Sequence, residues 1–248
     1  MTICSVNPIE TNNVIIWIRH KLSFALRLVD DFTGRKLVGK VTQFYADERP
    51  ISVTYKEEGF YLFMEPIECP VTVRIEANDY FVKTVTIDQK KLDPSFPVAE
   101  VRLYHKPGGS FQYRCSLCGG QITPPNPGTP FLVYGISELD SGYMLKNAGS
   151  DESGYFLELM GYHKEKLTGR VFGLGSNDTL DVFVIQKQES TNIYRIDQPL
   201  MHTHRKGDKL RLVYRTYADG NGNYVLPVAE GSVDQVKVQA ADTKAERS

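Results

Sequence analysis

The chain has 248 residues, 41% hydrophobic and 24% charged, an ordinary globular composition able to bury a core. Lys plus Arg is 29 against 30 for Asp plus Glu, and the resulting net charge of -1 argues against a nucleic-acid binder. No apolar run approaches the ~20 residues of a membrane helix. The N-terminus MTICSVNPIETNN lacks the basic region and apolar core of a signal peptide, so a cytoplasmic protein without direct membrane insertion is expected.

Residues 1–19 read as an N-terminal arm. Val14, Ile15, Ile16, Trp17 and Ile18 follow one another, and Trp17 is the sole tryptophan. A strand apolar on both faces is either buried or offered to a partner. Val14, Ile16, Trp17 and Ile18 are therefore candidate partner-binding residues, facing other protein subunits.

Residues 20–106 alternate with period two, the mark of half-buried strands. LSFALRL puts Leu22, Phe24, Leu26 and Leu28 on one face. VTVRIEA turns Val71, Val73, Ile75 and Ala77 inward and Thr72, Arg74 and Glu76 outward. ISVTY, VTI and AEVRLYH add further strands, and DDFTGRK, KEEG, EAND and KLDPSFP supply turns between them. Short strands at this spacing predict an antiparallel sandwich.

Two segments carry a family resemblance. LRLVDDFTGRKLVG (26–39) leads a strand through a D-x-x-T-G turn into a second strand. EEGFYLFMEPIECPVTVRIEANDYFVKTVTI (57–87) runs glycine turn, aromatic strand, proline-containing loop, alternating strand and small-x-x-Tyr turn. This part resembles the carboxypeptidase regulatory-like domain, a transthyretin-like or Cna B-type sandwich of the immunoglobulin-like class. Asp79 stands where that family usually has glycine before the tyrosine, and Glu68-Cys69-Pro70-Val71 replaces its P-G-x-Y. The resemblance implies an accessory, adhesive or architectural unit and brings no catalytic residue.

Residues 107–127 read as a linker, because 106–130 holds five prolines and five glycines. Cys115 and Cys118 form a CxxC there. With no second pair, a structural or incidental role outweighs zinc or redox chemistry. Cys4 and Cys69 are isolated, and all four thiols are expected to be reduced.

Residues 128–234 read as a second β domain, with strands at LVYGI, GYFLELM, LDVFVIQ, IYRI and LRLVYRTY. KEEGFYLFME (56–65) echoes SDESGYFLELM (150–160), and FTGRKLVGKV (32–41) echoes LTGRVFGLG (167–175). Tandem related sandwiches would explain both echoes, as would reuse of acidic-glycine-aromatic turns. His202 and His204 share one face of an extended segment. A polar edge before a tight turn is preferred there to a zinc site with Asp208. DGNGNYVLPVAE has calcium-like oxygen spacing, but Tyr224 fills its sixth place, and a hairpin turn on Asn-Gly fits better. Tyr55, Tyr61, Tyr80, Phe81, Tyr104 and Tyr113 are weighed between ligand contacts and ordinary strand residues, with the second preferred.

Residues 235–248 are polar and read as a flexible tail. The whole is expected to be all-β: tandem antiparallel β-sandwiches joined by a Pro/Gly-rich linker. No G-x-S-x-G, G-x-x-x-x-G-K or H-x-x-E occurs, so no enzyme, cofactor or metal is expected. The function expected is structural: an accessory, baseplate-type component of a phage-tail-like contractile injection particle. A carbohydrate- or protein-binding adhesion module is the alternative. The particle reading rests on fold-level analogy.

Overall fold

The computed structural model describes residues 9–11, 14–16, 22–38, 42–107, 109, 114–139, 141–161, 167–176 and 179–241. For 9–11 and 14–16 it describes the backbone pairing alone. The chain is predominantly β, and no helix of seven or more residues occurs among the described residues. It divides into two compact units. The first takes residues 1–30 and 36–103; the second takes 31–35 and 104–248.

In the first unit, β1 (Ile9–Thr11) and β2 (Val14–Ile16) form a two-stranded sheet of their own. The remaining strands are β3 (Phe24–Asp30), β4 (Thr42–Ala46), β5 (Arg49–Ile51), β6 (Thr54–Lys56), β7 (Phe60–Phe63), β8 (Val71–Ala77), β9 (Lys83–Ile87) and β10 (Val98–Leu103). They make two four-stranded sheets, ordered β10-β3-β7-β6 and β5-β4-β8-β9. Every pair is antiparallel except β3 with β10, which run parallel with Val98 opposite Ala25 and Leu103 opposite Asp30.

One core lies between the two sheets. Phe24, Leu26, Leu28, Tyr61, Phe63, Val101 and Leu103 enter it from one sheet, and Phe44, Val71, Val73, Ile75 and Ile87 from the other. The alternation in VTVRIEA is realised residue by residue: its odd positions are buried and its even ones half-exposed. Phe63 is the hub. It stacks on Phe24 with ring centres 4.4 Å apart and meets Phe44 of the facing sheet edge-on at 5.6 Å. At one end of the stack Asp79 adopts φ +70°, the left-handed conformation glycine favours. The turn delivers Tyr80 inward, where its hydroxyl donates to Asp30 Oδ2 at 2.9 Å.

The second unit contains β11 (Ser116–Gln121), β12 (Phe131–Ser137), β13 (Met144–Asp151), β14 (Gly154–Met160) and β15 (Val171–Leu174). After these come β16 (Asp181–Gln188), β17 (Ile193–Ile196), β18 (Arg211–Ala218), β19 (Asn223–Val228) and β20 (Val236–Ala240). Eight of them form one sheet in the order β13-β14-β17-β16-β15-β18-β12-β20. The residues just before β18 return to β13: Leu145 N–H donates to Asp208 O, Gly207 N–H to Leu145 O, and Leu210 N–H to Tyr143 O. Lys209 bridges Met144. The run from β13 through β14, β17, β16, β15 and β18 is therefore closed on itself, which removes its free edges. Its interior holds Tyr143, Leu145, Leu157, Leu159, Phe172, Leu174, Phe183, Ile185, Tyr194, Ile196 and Leu210.

Beyond the closed part, β12 is buried along its whole length. Antiparallel β11 and β19 pack over one of its faces. A Cβ added at Gly135 would lie 2.2 Å from Leu226 Cδ2, so only glycine admits β19 that closely.

Three expectations are corrected. The presumed linker 107–127 contains β11, paired along its length with β19 from Ser116↔Val228 to Gln121↔Asn223. The prolines of that stretch, at 107, 124, 125, 127 and 130, flank this strand instead of interrupting it. The presumed tail 235–248 contains β20, which pairs with β12 and packs its half-buried Val-x-Val-x-Ala face against the second unit's core. The second unit also does not repeat the strand order of the first. The first echo is a pair of hairpin turns, between β6 and β7 and between β13 and β14.

The second echo is a contact. Gly34 of the first T-G-R and Gly169 of the second meet backbone to backbone within the second unit. Gly34 (φ +66°) sits so close that an added Cβ would lie 2.5 Å from Gly169 O.

Candidate functional site

Three places could carry chemistry: the N-terminal arm, the histidine strip and the buried ion pairs of the second unit. In the arm, Ile9 pairs with Ile16 and Thr11 with Val14. Val14 and Ile16 thus belong to a short antiparallel hairpin that joins no other sheet among the described strands. Trp17 and Ile18 lie outside the described residues.

The histidine strip is organised by a residue the sequence did not single out. Asp181, the first residue of β16, is 7% exposed. Its carboxylate accepts the His202 backbone N–H at 2.9 Å. The two imidazoles approach its separate oxygens, His202 Nδ1 at 3.1 Å and His204 Nε2 at 2.8 Å. On the other side of the buried His204 ring, Nδ1 lies 3.7 Å from Asp208 Oδ2. Burial pushes the Asp181 carboxyl up, but the hydrogen bonds from His202 and His204 outweigh it and hold the group below the usual aspartate range. Among the described residues no three His, Cys, Asp or Glu side chains converge as a metal site. The strip fastens a connection to a strand end, and the polar edge strand expected at 202–205 is not formed.

Two arginines are held by carboxylates. Arg195 on β17 donates to both oxygens of Asp151, at 2.7 and 2.9 Å, to Gly154 O, and to Glu189 at 2.7 Å. These bonds tie the β13–β14 turn to the β16–β17 turn, and Arg195 holds both acids below their ordinary range. On β18, Arg215 Nε donates to Asp31 Oδ2 at 3.0 Å, a second bond joins Nη2 to Oδ1, and Tyr104 packs against the guanidinium. Burial opposes the charge on Arg215, and Asp31 more than restores it. Tyr104 is driven well above the ordinary tyrosine range by burial.

Cys118 lies in β11 opposite Leu226 and packs beside Tyr224, while Cys115 precedes the strand. In the calcium-like stretch, Asp219 accepts from the backbone N–H of Asn221 and Asn223 and from Asn223 Nδ2, so its oxygens hold the β18–β19 turn together. Tyr61, Tyr80 and Tyr104 are core residues, Tyr55 is exposed, and Tyr113 lies outside the described residues. Among the described residues no helix is long and apolar enough to cross a membrane. No family model matches the chain, and neither a curated protein nor a solved structure matches it.

Proposed function

We propose that this chain is a non-catalytic assembly protein that docks on other protein subunits through its N-terminal arm. The observation that carries the reading is the β1–β2 hairpin, which joins no other described sheet yet leads into the apolar run Val14–Ile18. A lone two-stranded hairpin is marginal in water and needs a surface to lie on. The wider architecture agrees, because the buried charges of the second unit serve to tie turns and strands together.

The finer fold reading is that residues 20–106 form a sandwich of the carboxypeptidase regulatory-like type. The left-handed Asp79, at the place of that family's glycine, and the inward Tyr80 support it. The assembly we have in mind is a phage-tail-like contractile injection particle put together in the cytoplasm, with this chain as a baseplate-type accessory. That narrower step rests on the analogy drawn from the sequence, and sheath and tube genes beside this one would support it.

The test compares the full chain with one that starts at Lys21 and with the Ile16→Asp variant. The expected result is an unchanged melting temperature in both altered proteins, with loss of co-sedimentation with the partner assembly. If either altered protein unfolds or aggregates alone, the arm is core and the docking reading fails.

A further inference from the structure

The closed part of the second unit has a seam. Most neighbours around it are regular strands, but one junction is made by the connection from β17 to β18, not by a strand. Residues 201–210 form a strap that reaches β13 through the three backbone bonds of Leu145, Gly207 and Leu210. Most of the strap is exposed: Met201, Thr203, Arg205, Lys206 and Gly207 all face solvent. Its inner end is Leu210, fully buried in the core, so lifting the strap would wet that side chain together with Tyr143 and Leu145.

What holds the strap is the carboxylate–histidine network. His204 is 3% exposed at the side chain and stands between Asp181 of β16 and Asp208 of the strap. His202 shares the same Asp181 carboxylate, and Gly175 lies close by, where an added Cβ would be 3.1 Å from His204 Cε1. Asp208 is itself fixed, accepting the Arg205 N–H at 2.8 Å while its own carbonyl receives Leu145 N–H. The Nε2 contact with Asp181 can be a hydrogen bond in either protonation state, whereas the imidazolium adds a positive charge 3.7 Å from the Asp208 carboxylate, an ion pair beyond hydrogen-bond reach.

We infer that the strap is a pH-set latch: the doubly protonated His204 ties β16 to the seam, and loss of one proton loosens the seam and frees the β13 edge. An opened β13 would offer a row of unpaired N–H and C=O groups, the kind of edge to which an extended partner strand adds.

Residue-resolved amide hydrogen exchange on the full chain tests this by comparing about pH 5.5 with about pH 8. Opening constants, corrected for intrinsic exchange, should rise about two- to fivefold at the higher pH for Leu145, Gly207 and Leu210, the loss expected of one half-exposed ion pair. Leu159 and Ile185, whose N–H groups bond Asn192 O and Arg170 O away from the seam, should stay constant. His204→Gln should abolish the pH response, and His202→Gln should keep it. Asp208→Asn, at a half-exposed site that retains its acceptor oxygen, should shrink the response even if His204→Gln fails to fold. A seam that exchanges equally at both pH values, or a response that survives in Asp208→Asn at full size, overturns the inference.

Discussion

The two units solve the same problem in opposite ways. The first buries its core between two separate sheets, each ending in two strands that pair with no further described strand. The second bends one sheet until it meets itself and spends a loop, not a strand, on the last junction. In the first unit β8 alternates cleanly, because the facing sheet covers what points inward, while β3, between β10 and β7, is buried at nearly every residue. In the second, closure requires polar groups placed at single points: Asp181 under the strap, Arg195 across two turns and Arg215 on Asp31. Stability in the first unit should follow apolar volume, and in the second it should depend as strongly on ion pairing.

The sharpest way to break this contrast is Asp31→Ala. It leaves the Arg215 guanidinium enclosed without its counter-charge, and removal of one partner from a buried pair costs about 4–5 kcal/mol. Urea unfolding read by hydrogen exchange should show the loss in the second unit. A neutral result would mean that Arg215 finds water and that the pair is dispensable.

Phe63→Ala is the counterpart in the first unit. Loss of a ring packed against both Phe24 and Phe44 should cost about 3–4 kcal/mol by the usual cavity penalty. The same urea titration reads it through the amides of β3 and β8.

Gly34→Ala comes next, at about 2–3 kcal/mol, because a side chain at φ +66° is strained and its Cβ would collide with Gly169 O. Gly169→Ala should cost less, since its added Cβ would meet Gly34 O at 3.4 Å. Equal effects in the two variants would show that backbone conformation, not the contact, sets the cost.

Acidification should separate the units further. Asp181, Asp151 and Glu189 all have folded-state pKa values below their unfolded ones. The unfolded chain therefore binds more protons, so the stability they add is present above about pH 4 and is lost as pH falls through the lower folded values. In the first unit Glu58, bonded to Lys36, is shifted in the same direction but lies exposed on a turn; Asp151 and Glu189 are exposed on turns as well, so the difference between the units rests chiefly on the buried Asp181. Far-UV circular dichroism with exchange mapping between about pH 7 and pH 3 should show the second unit giving way first.

The smallest effect is the control. Val82, 57% exposed beside the β8–β9 turn, should tolerate Ser within about 0.5 kcal/mol in the same assay. A larger loss would mean that a surface taken as free is covered by something.

The all-β class was legible in the residues alone, because sustained period-two alternation puts one face of an extended chain in the dry and the other in water. VTVRIEA, GYFLELM and IYRI fall on strands residue for residue. The sequence did not disclose β13, whose residues are nearly all exposed and which carries a bulge after Leu145, so no alternation survives to be read. Nor did it disclose β11, whose glycines look like loop until β19 pairs with it, or β20, a five-residue alternation inside a polar C-terminal stretch that pairs with β12.

The His202–His204 pair was visible, but its organiser was not. Asp181 stands more than twenty residues away and meets the histidines only because β16 begins where the strap passes. Likewise the two T-G-R turns read as a repeat, and tertiary structure made them a contact. Local pattern reports which face of a strand is dry. Which segments lie opposite one another, and which carboxylate a distant histidine finds, depends on how the sheet curls and closes, and that is settled by packing over the whole unit.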